Sequence, residues 1–491
     1  MDILMITPEA MPFARTGGLA DSVTSLSSAL VDKGHNVKIL MPRYYGISKE
    51  ILTKLKTSLN FTIEFEEVSA DIYTTSIKTT NNNILEFYFL DYEKYFGRDG
   101  IYGSIDEPNY SDNPQRFSLL CHSAFHLCTK LNWFPKIIHS HDWPTALVPV
   151  LLKFYERKKE QFAKTKSVFT AHNLGYQGIY SKYLFPTTGI DWLNYYSAGF
   201  EDYDNMNLLK AGIQCADLIT TVSPTYAKEI QLPESGFRLD SLLRYRSESL
   251  YGILDGINYS IWNPQTDKFI KENYSIDTID KKVNNKYELQ KKMGLEEDPN
   301  IPLIGISCQL IEQNGISELF APSYGCIQAI CKDMRVQCVV MGSGEKWCEQ
   351  EIKELEKKLP NFKSFVGYDE QLEHLIISGS DFLLMPSKYE PCGRNQMCAQ
   401  LYGTLPITRN ISGLADSVEN YNEKIGKGTG FLFNDLTPQS VYDTTGWAIF
   451  AWYNKSHHIE KMKKRAMAKN FSWENSAKQY EQLYTKLCKN K

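Results

Sequence analysis

Gly18-Leu19-Ala20-Asp21-Ser22-Val23 recurs unchanged as Gly413-Leu414-Ala415-Asp416-Ser417-Val418. Each copy follows a strand-and-loop pattern and begins a helical one. The first turn of a helix leaves N–H groups unpaired and carries a partial positive charge, which suits an anion. Two copies predict two similar α/β domains, each presenting a helix start, with a phosphorylated ligand in the cleft they form. His122 and His126 have the spacing of one helix face, but no Glu follows the first and no third ligand is near, so no metal site is predicted. The eleven cysteines contain no Cys-x-x-Cys pair and read as reduced thiols rather than a disulfide framework.

The elements that must hold these loops are legible from periodicity. Residues 3–6 are a short apolar run, 8–18 a loop, and 19–32 carry Leu19, Val23, Leu26 and Leu30 at helical spacing, stopped by Gly34. Residues 37–41 are the next strand, which completes a βαβ unit and implies a parallel sheet. Strands are expected at 137–139, 167–171 and 216–222, with a helix after Pro144. A second block opens near 300, with strands at 302–308, 336–341, 381–385 and 405–409. Helices are expected at 316–332 and from 394 to about 402. Residues 268–285 are rich in Lys, Asn and Asp, and 264–267 read as a surface turn. The hinge is expected within 252–258.

Composition excludes several classes. Lys and Arg total 54 against 58 Asp and Glu, a net charge of -4, which argues against nucleic-acid binding through a basic face. No run of about 18 apolar residues exists, so no membrane span is expected. Met1-Asp2-Ile3-Leu4 lacks a basic leader, which points to a cytoplasmic protein. Tyr, Phe and Trp make up 13% of the chain. Aromatic surface suits sugar binding, although most rings are expected in the core.

Six segments in order resemble the bacterial glycogen synthases and plant starch synthases. They are Arg15-Thr16-Gly17-Gly18-Leu19, His139-Ser140-His141-Asp142-Trp143, Ala171-His172-Asn173-Leu174-Gly175-Tyr176-Gln177-Gly178, Val222-Ser223-Pro224-Thr225-Tyr226, Pro386-Ser387-Lys388-Tyr389-Glu390-Pro391-Cys392-Gly393, and Phe471-Ser472-Trp473, whereas the family's second Thr-Gly-Gly-Leu is degraded to Ile411-Ser412-Gly413-Leu414. The resemblance implies a GT-B fold: two Rossmann-like domains facing across a deep cleft, with a final helix over 472–487 crossing back to the first. Domain boundaries are expected at 1–252, completed by 468–491, and 253–467. It implies retaining transfer of glucose from ADP-glucose to the non-reducing 4-OH of an α-1,4-glucan, without metal or other cofactor. The partners would be a nucleotide sugar and glycogen or maltooligosaccharide. Glu390 and His141 would be catalytic. Arg15, Gly17, Gly18, Gln309, Asn314, Tyr368, Gly393 and Arg394 would bind the donor, and Asp142 and Asn173 would line the acceptor and glucose side.

Departures from the family pattern gather on the same site. Gln309 and Asn314 stand where the family has Arg and Lys, and a neutral amide cannot neutralise a diphosphate. Arg238 stands where the family has Gly, Asp255 and Asn258 invert its Asn-Gly-x-Asp, and Arg394 and Asn395 replace an apolar residue and a small hydroxyl. Arg394 and Arg238 would compensate for the lost charge if both point inward. The alternative to synthesis is an inactive homologue that binds glucan or regulates an active synthase as its partner.

Overall fold

The computed structural model describes residues 1–489. The chain forms two compact units. One comprises Met1–Gly256 and the described residues from Trp473 onward; the other is Ile257–Ser472. The junctions thus lie a few residues beyond 252 and 467.

The first unit is built on a ten-stranded sheet. Its parallel run in spatial order is Leu250–Gly252, Leu218–Thr221, Lys166–Ala171, Ile137–His141, Asp2–Ile6, Asn36–Pro42 and Ile84–Asp91. Glu66–Lys78 and its short neighbours extend it antiparallel. Strands covered on both faces need continuous apolar runs, and Ile3 to Ile6 are all buried. Gly18–Asp32 buries Leu19, Val23, Leu26 and Leu30, the predicted stripe, and ends just before Gly34, whose φ of +86° a side chain would resist. The final helix, Trp473–Lys489, belongs to this unit, with Tyr480 and Tyr484 buried in it.

The second unit is a six-stranded, wholly parallel sheet in the order Phe362–Val366, Gln337–Gly342, Leu303–Ser307, Phe382–Met385, Leu405–Arg409, Phe431–Phe433. The helix expected over 316–332 is broken into Ile316–Phe320 and Ile327–Asp333. Pro322 explains the break: it pushes Ala321 to an extended ψ of 130° and brings no N–H. The expected surface turn at 264–267 ends in a buried residue, and the polar stretch after it is anchored too. Asp267 is buried and accepts hydrogen bonds from His374 Nδ1 and the Tyr402 hydroxyl, both at 2.6 Å. Lys282 is buried on the Ser378 carbonyl and Thr404 hydroxyl, and Lys286 pairs with Asp381 at 2.7 Å. Buried charges survive only when paired or fully hydrogen-bonded, and these side chains tie 267–286 to the sheet. Among the described residues no helix is long and apolar enough to cross a membrane.

Candidate active site

An open parallel sheet binds ligands outside the carboxyl ends of its strands, where strand order reverses. In the first unit that point lies between Asp2–Ile6 and Ile137–His141. The strand runs two residues further than expected and carries His141 at its end. His141 is buried, and its Nδ1 meets His172 Nε2 at 3.1 Å. His139 packs against it, tilted by 31° at 4.2 Å between ring centroids, and bonds to Tyr484 and Thr170. Burial lowers His139 and His172 to about 3 and His141 well below its ordinary value, so all three rings are neutral near pH 7. His141 Nε2 is a buried polar atom with no partner in the protein. Such an atom calls for a partner from outside the chain.

Asp142 follows with φ at +58°, a left-handed turn that non-glycine residues rarely adopt. Its carboxylate accepts the N–H groups of His172 and Asn173; burial raises it to about 7 and those N–H groups hold it down. The Asn173 side chain closes the loop by accepting from Gly175 N–H at 2.8 Å.

The Gly17–Gly18 loop leads from the neighbouring strand, and sequence reasoning missed the residue that holds it. Glu9 is buried and takes the N–H and hydroxyl of Thr16, the N–H of Gly17 and the hydroxyl of Tyr102. Burial raises its affinity for a proton, and those donors oppose the shift. The Gly17 N–H is therefore committed to Glu9 rather than offered outward. A charged residue just past the first strand, at the switch point, was the available signal. Arg15 pairs with Asp21 at 3.3 Å. Gly17 and Gly18 are exposed, and a Cβ on either would meet nothing within 4 Å. Asp255 accepts a hydrogen bond from Ser22, and burial raises it to about 7. Arg238 is committed to Asp202 at 3.0 Å and lies over Tyr203.

The second switch point lies between Leu303–Ser307 and Phe382–Met385. Glu390 sits in the loop after the latter strand, half-buried. Its carboxylate accepts from Gly393 N–H and the Ser387 hydroxyl, and burial raises it to about 7. Gly393 holds φ at +71°, where a Cβ would strain the turn and strike Gln396. The loop carrying Gln309 and Asn314 interlocks with it: Lys388 N–H donates to the Gln313 carbonyl at 2.8 Å, and a Cβ on Gly315 would lie 2.0 Å from the Pro386 carbonyl oxygen. Asn314 turns its amide onto the Gln309 carbonyl at 2.8 Å, while Gln309 is exposed.

Arg394 and Tyr368 converge on a residue the sequence did not single out. Glu373 is buried; it accepts from the Tyr368 hydroxyl at 3.1 Å and pairs with Arg394 at 3.3 Å. The Arg394 guanidinium lies 5.3 Å from the Trp262 ring centre, and Trp262 stacks flat on His374 at 3.8 Å. His374 is the ring fixed by Asp267, so a buried hydrogen bond backs the arginine through an aromatic spacer.

His122 and His126 do not gather ligands. His122 Nε2 bonds the Thr188 carbonyl, and His126 stacks on Phe61 at 4.1 Å. Among the described residues no group of three or more His, Cys, Asp or Glu could hold a metal ion.

Residues 2–245 match the family described as "Starch synthase catalytic domain", and 326–466 match "Glycosyl transferases group 1". The glycogen synthase of Treponema denticola is 52% identical over 484 residues, 99% of this chain and 98% of that one. Glycogen synthase 1 of Geobacter sulfurreducens is 38% identical over 99% of this chain and 96% of its own. Among solved structures, the catalytic domain of starch synthase IV from Arabidopsis thaliana, bound to ADP and acarbose, aligns with a TM-score of 0.87 at 30% identity, covering 99% of both chains.

Proposed function

Because the chain belongs to the glycogen synthase and starch synthase family, we propose that it is a retaining α-1,4-glucan synthase working in the cytoplasm, with ADP-glucose as donor and glycogen or maltooligosaccharide as acceptor. The observation that carries this reading is the position of His141 and Glu390. Each stands at the switch point of its own sheet, His141 as a neutral ring and Glu390 as a carboxyl whose affinity for a proton burial raises.

In this reading the bond from glucose C1 to the diphosphate breaks and a bond from C1 to the acceptor O4 forms on the same face. The O4 proton leaves with ADP. His141 binds the transferred glucose through its unpartnered Nε2. The Glu390 carboxylate holds glucose hydroxyls and favours positive charge at C1. Gly17 and Gly18 leave room for the diphosphate, and Gly18 N–H, Arg15, Gly393 and Arg394 meet its charge. Preorganised donors of this kind are commonly the largest contribution to catalysis. Tyr368 faces the base, and Asp142 and Asn173 line the acceptor side. The family's chemistry needs no metal.

The test is nucleoside diphosphate release from ADP-glucose, with UDP-glucose in parallel, over a glycogen primer. Glucan-dependent ADP release is expected. The inactive-homologue alternative keeps one observation in its favour: Gln309 and Asn314 are neutral, and Asn314 is turned inward. No release by the unmodified protein, with release restored in Gln309→Arg/Asn314→Lys, would overturn the synthase reading in favour of that alternative.

A further inference from the structure

Successive residues of a strand point to opposite faces, so His139 and His141, two apart in Ile137–His141, lie on the same face of the first unit's sheet. Both His139 nitrogens are occupied within the protein. Nδ1 meets the Tyr484 hydroxyl of the last helix at 2.7 Å, and Nε2 meets the Thr170 hydroxyl at 2.6 Å. Thr170 shares a further hydrogen bond with Thr220 at 2.5 Å, so the row crosses three neighbouring strands. His139, Thr170, Thr220 and Tyr484 are fully buried. A ring bonded at both nitrogens cannot turn without losing a bond where no water replaces it. His141 is bonded on one edge only, Nδ1 to His172 at 3.1 Å, and one hydrogen bond leaves a ring able to turn about it. The fixed ring of His139, 4.2 Å away between centroids, is the surface that limits this turning.

We infer that Tyr484 is a positioning residue for the transfer reaction: through His139 it sets the plane of the His141 ring, and with it the direction in which Nε2 meets the sugar. The inference rests on the synthase reading for the role of His141. Tyr484 itself touches no substrate; it acts from 345 positions along the chain through one intervening ring. The bond it makes joins two neutral groups. Burial lowers His139 to about 3 and holds the Tyr484 phenol protonated, so neither charge nor pH near neutrality switches the contact. Such a bond is directional more than it is strong, which suits a part that aims a ring. The helix is docked by other ties. Glu481 takes Lys33 and His35, each at 3.1 Å, and the Ser476 hydroxyl donates to the Leu254 carbonyl at 2.6 Å. Removing the Tyr484 hydroxyl alone keeps those ties and the buried ring, so the docking of the helix and the aim of His141 are separable.

The experiment uses the full chain and its Tyr484→Phe variant. Thr170→Val, which frees His139 from its other side without touching the last helix, is the second variant. Glu481→Gln, which loosens the helix without touching His139, is the control. ADP release gives kcat and KM for ADP-glucose and glycogen, thermal unfolding follows the fold, and the ring-nitrogen NMR signals of histidine labelled with nitrogen-15 report the rings directly. Tyr484→Phe and Thr170→Val are each expected to lower kcat about 10- to 100-fold with both KM values within about twofold, the mark of a misaimed group rather than of lost binding. Their His139 and His141 signals should move. Glu481→Gln should keep kcat, whatever its effect on the thermal midpoint, and move the His35 signals instead. Full kcat in a folded Tyr484→Phe or Thr170→Val overturns the inference, as does a loss that Glu481→Gln reproduces. A raised KM with kcat intact, or unmoved His141 signals, overturns it equally. The ring signals need no turnover, so absence of ADP release from the unmodified protein would sink the synthase reading and still leave the aim of His141 readable.

Discussion

In the first copy of the repeated hexapeptide Gly18 is exposed, and a Cβ on it would meet nothing within 4 Å; in the second a Cβ on Gly413 would lie 2.0 Å from the Cys392 carbonyl oxygen. The first copy opens a helix of 15 residues, the second one of six. Ser22 reaches across 233 positions to Asp255, whereas Ser417 bonds back to the Gly413 carbonyl and takes the Gln396 amide. Six identical residues therefore do two jobs. The first is an open lip whose glycine no neighbour requires, so the demand for a missing side chain comes from whatever approaches. The second is a buried brace behind the loop that carries Glu390, with Gly413 N–H on the Pro391 carbonyl. The expectation that both copies present helix starts to an anion is thus corrected: Gly413 and Leu414 are buried, and their need for small size is internal.

Substitutions can break this contrast at either end. The largest effect is expected at the brace. Gly413→Ala forces the Glu390 loop to move and should cost about 3 kcal/mol or more, read as a lowered thermal midpoint for the second unit. The same change at the lip, Gly18→Ala, should leave thermal unfolding unchanged while ADP release falls on the order of 10²-fold, since a methyl would stand where the proposed reading brings the diphosphate. Equal stability losses in the two variants would erase the distinction. A smaller effect is expected at Arg394: Arg394→Leu should raise KM for ADP-glucose roughly tenfold and leave kcat for bound donor nearly intact, the signature of lost ground-state binding. An unchanged KM would make the Glu373–Arg394 pair purely structural. The smallest is Asp255→Asn, which leaves a group able to bond Ser22 but removes a titration. Burial raises Asp255 to about 7, so the folded chain holds a proton that the unfolded chain releases near 4. That contribution is complete below the unfolded value and is lost as pH rises toward 7. Urea unfolding at pH 5 and pH 8 should therefore differ less in Asp255→Asn than in the parent; an identical difference would mean that Asp255 does not titrate in this window.

The parallel strands were legible because strands covered on both faces are rich in apolar residues: 3–6 is apolar throughout, and 167–171 and 405–409 are short runs with apolar residues at their centres. The motif residues were legible because loops at strand ends carry chemistry-bearing residues in fixed order. What escaped was pairing over long separations. Nothing local to Glu373 marks it as the partner of Tyr368 and Arg394. Nothing local to Asp267 shows that a turn-like run ends beneath His374. Polarity predicted a surface turn at 264–267, but Asp267, and Lys282 and Lys286 after it, are buried on partners about 100 residues away. Identical hexapeptides looked identical because the difference lies in what packs on them.

The last helix has a consequence for how the chain is made. His139 gains its Tyr484 hydroxyl at 2.7 Å, and Lys33 and His35 gain Glu481, only when residues near the C-terminus arrive. The whole of 257–472 is synthesised in between. At about 5 to 20 residues per second the ribosome needs roughly 10 to 40 s for that interval. Through that time the first unit exists without its closing helix, and the groove destined for Tyr480 and Tyr484 is open. A message cut short before codon 473 therefore yields a second unit with its own sheet complete and a first unit left permanently ajar, a target for chaperones and proteases.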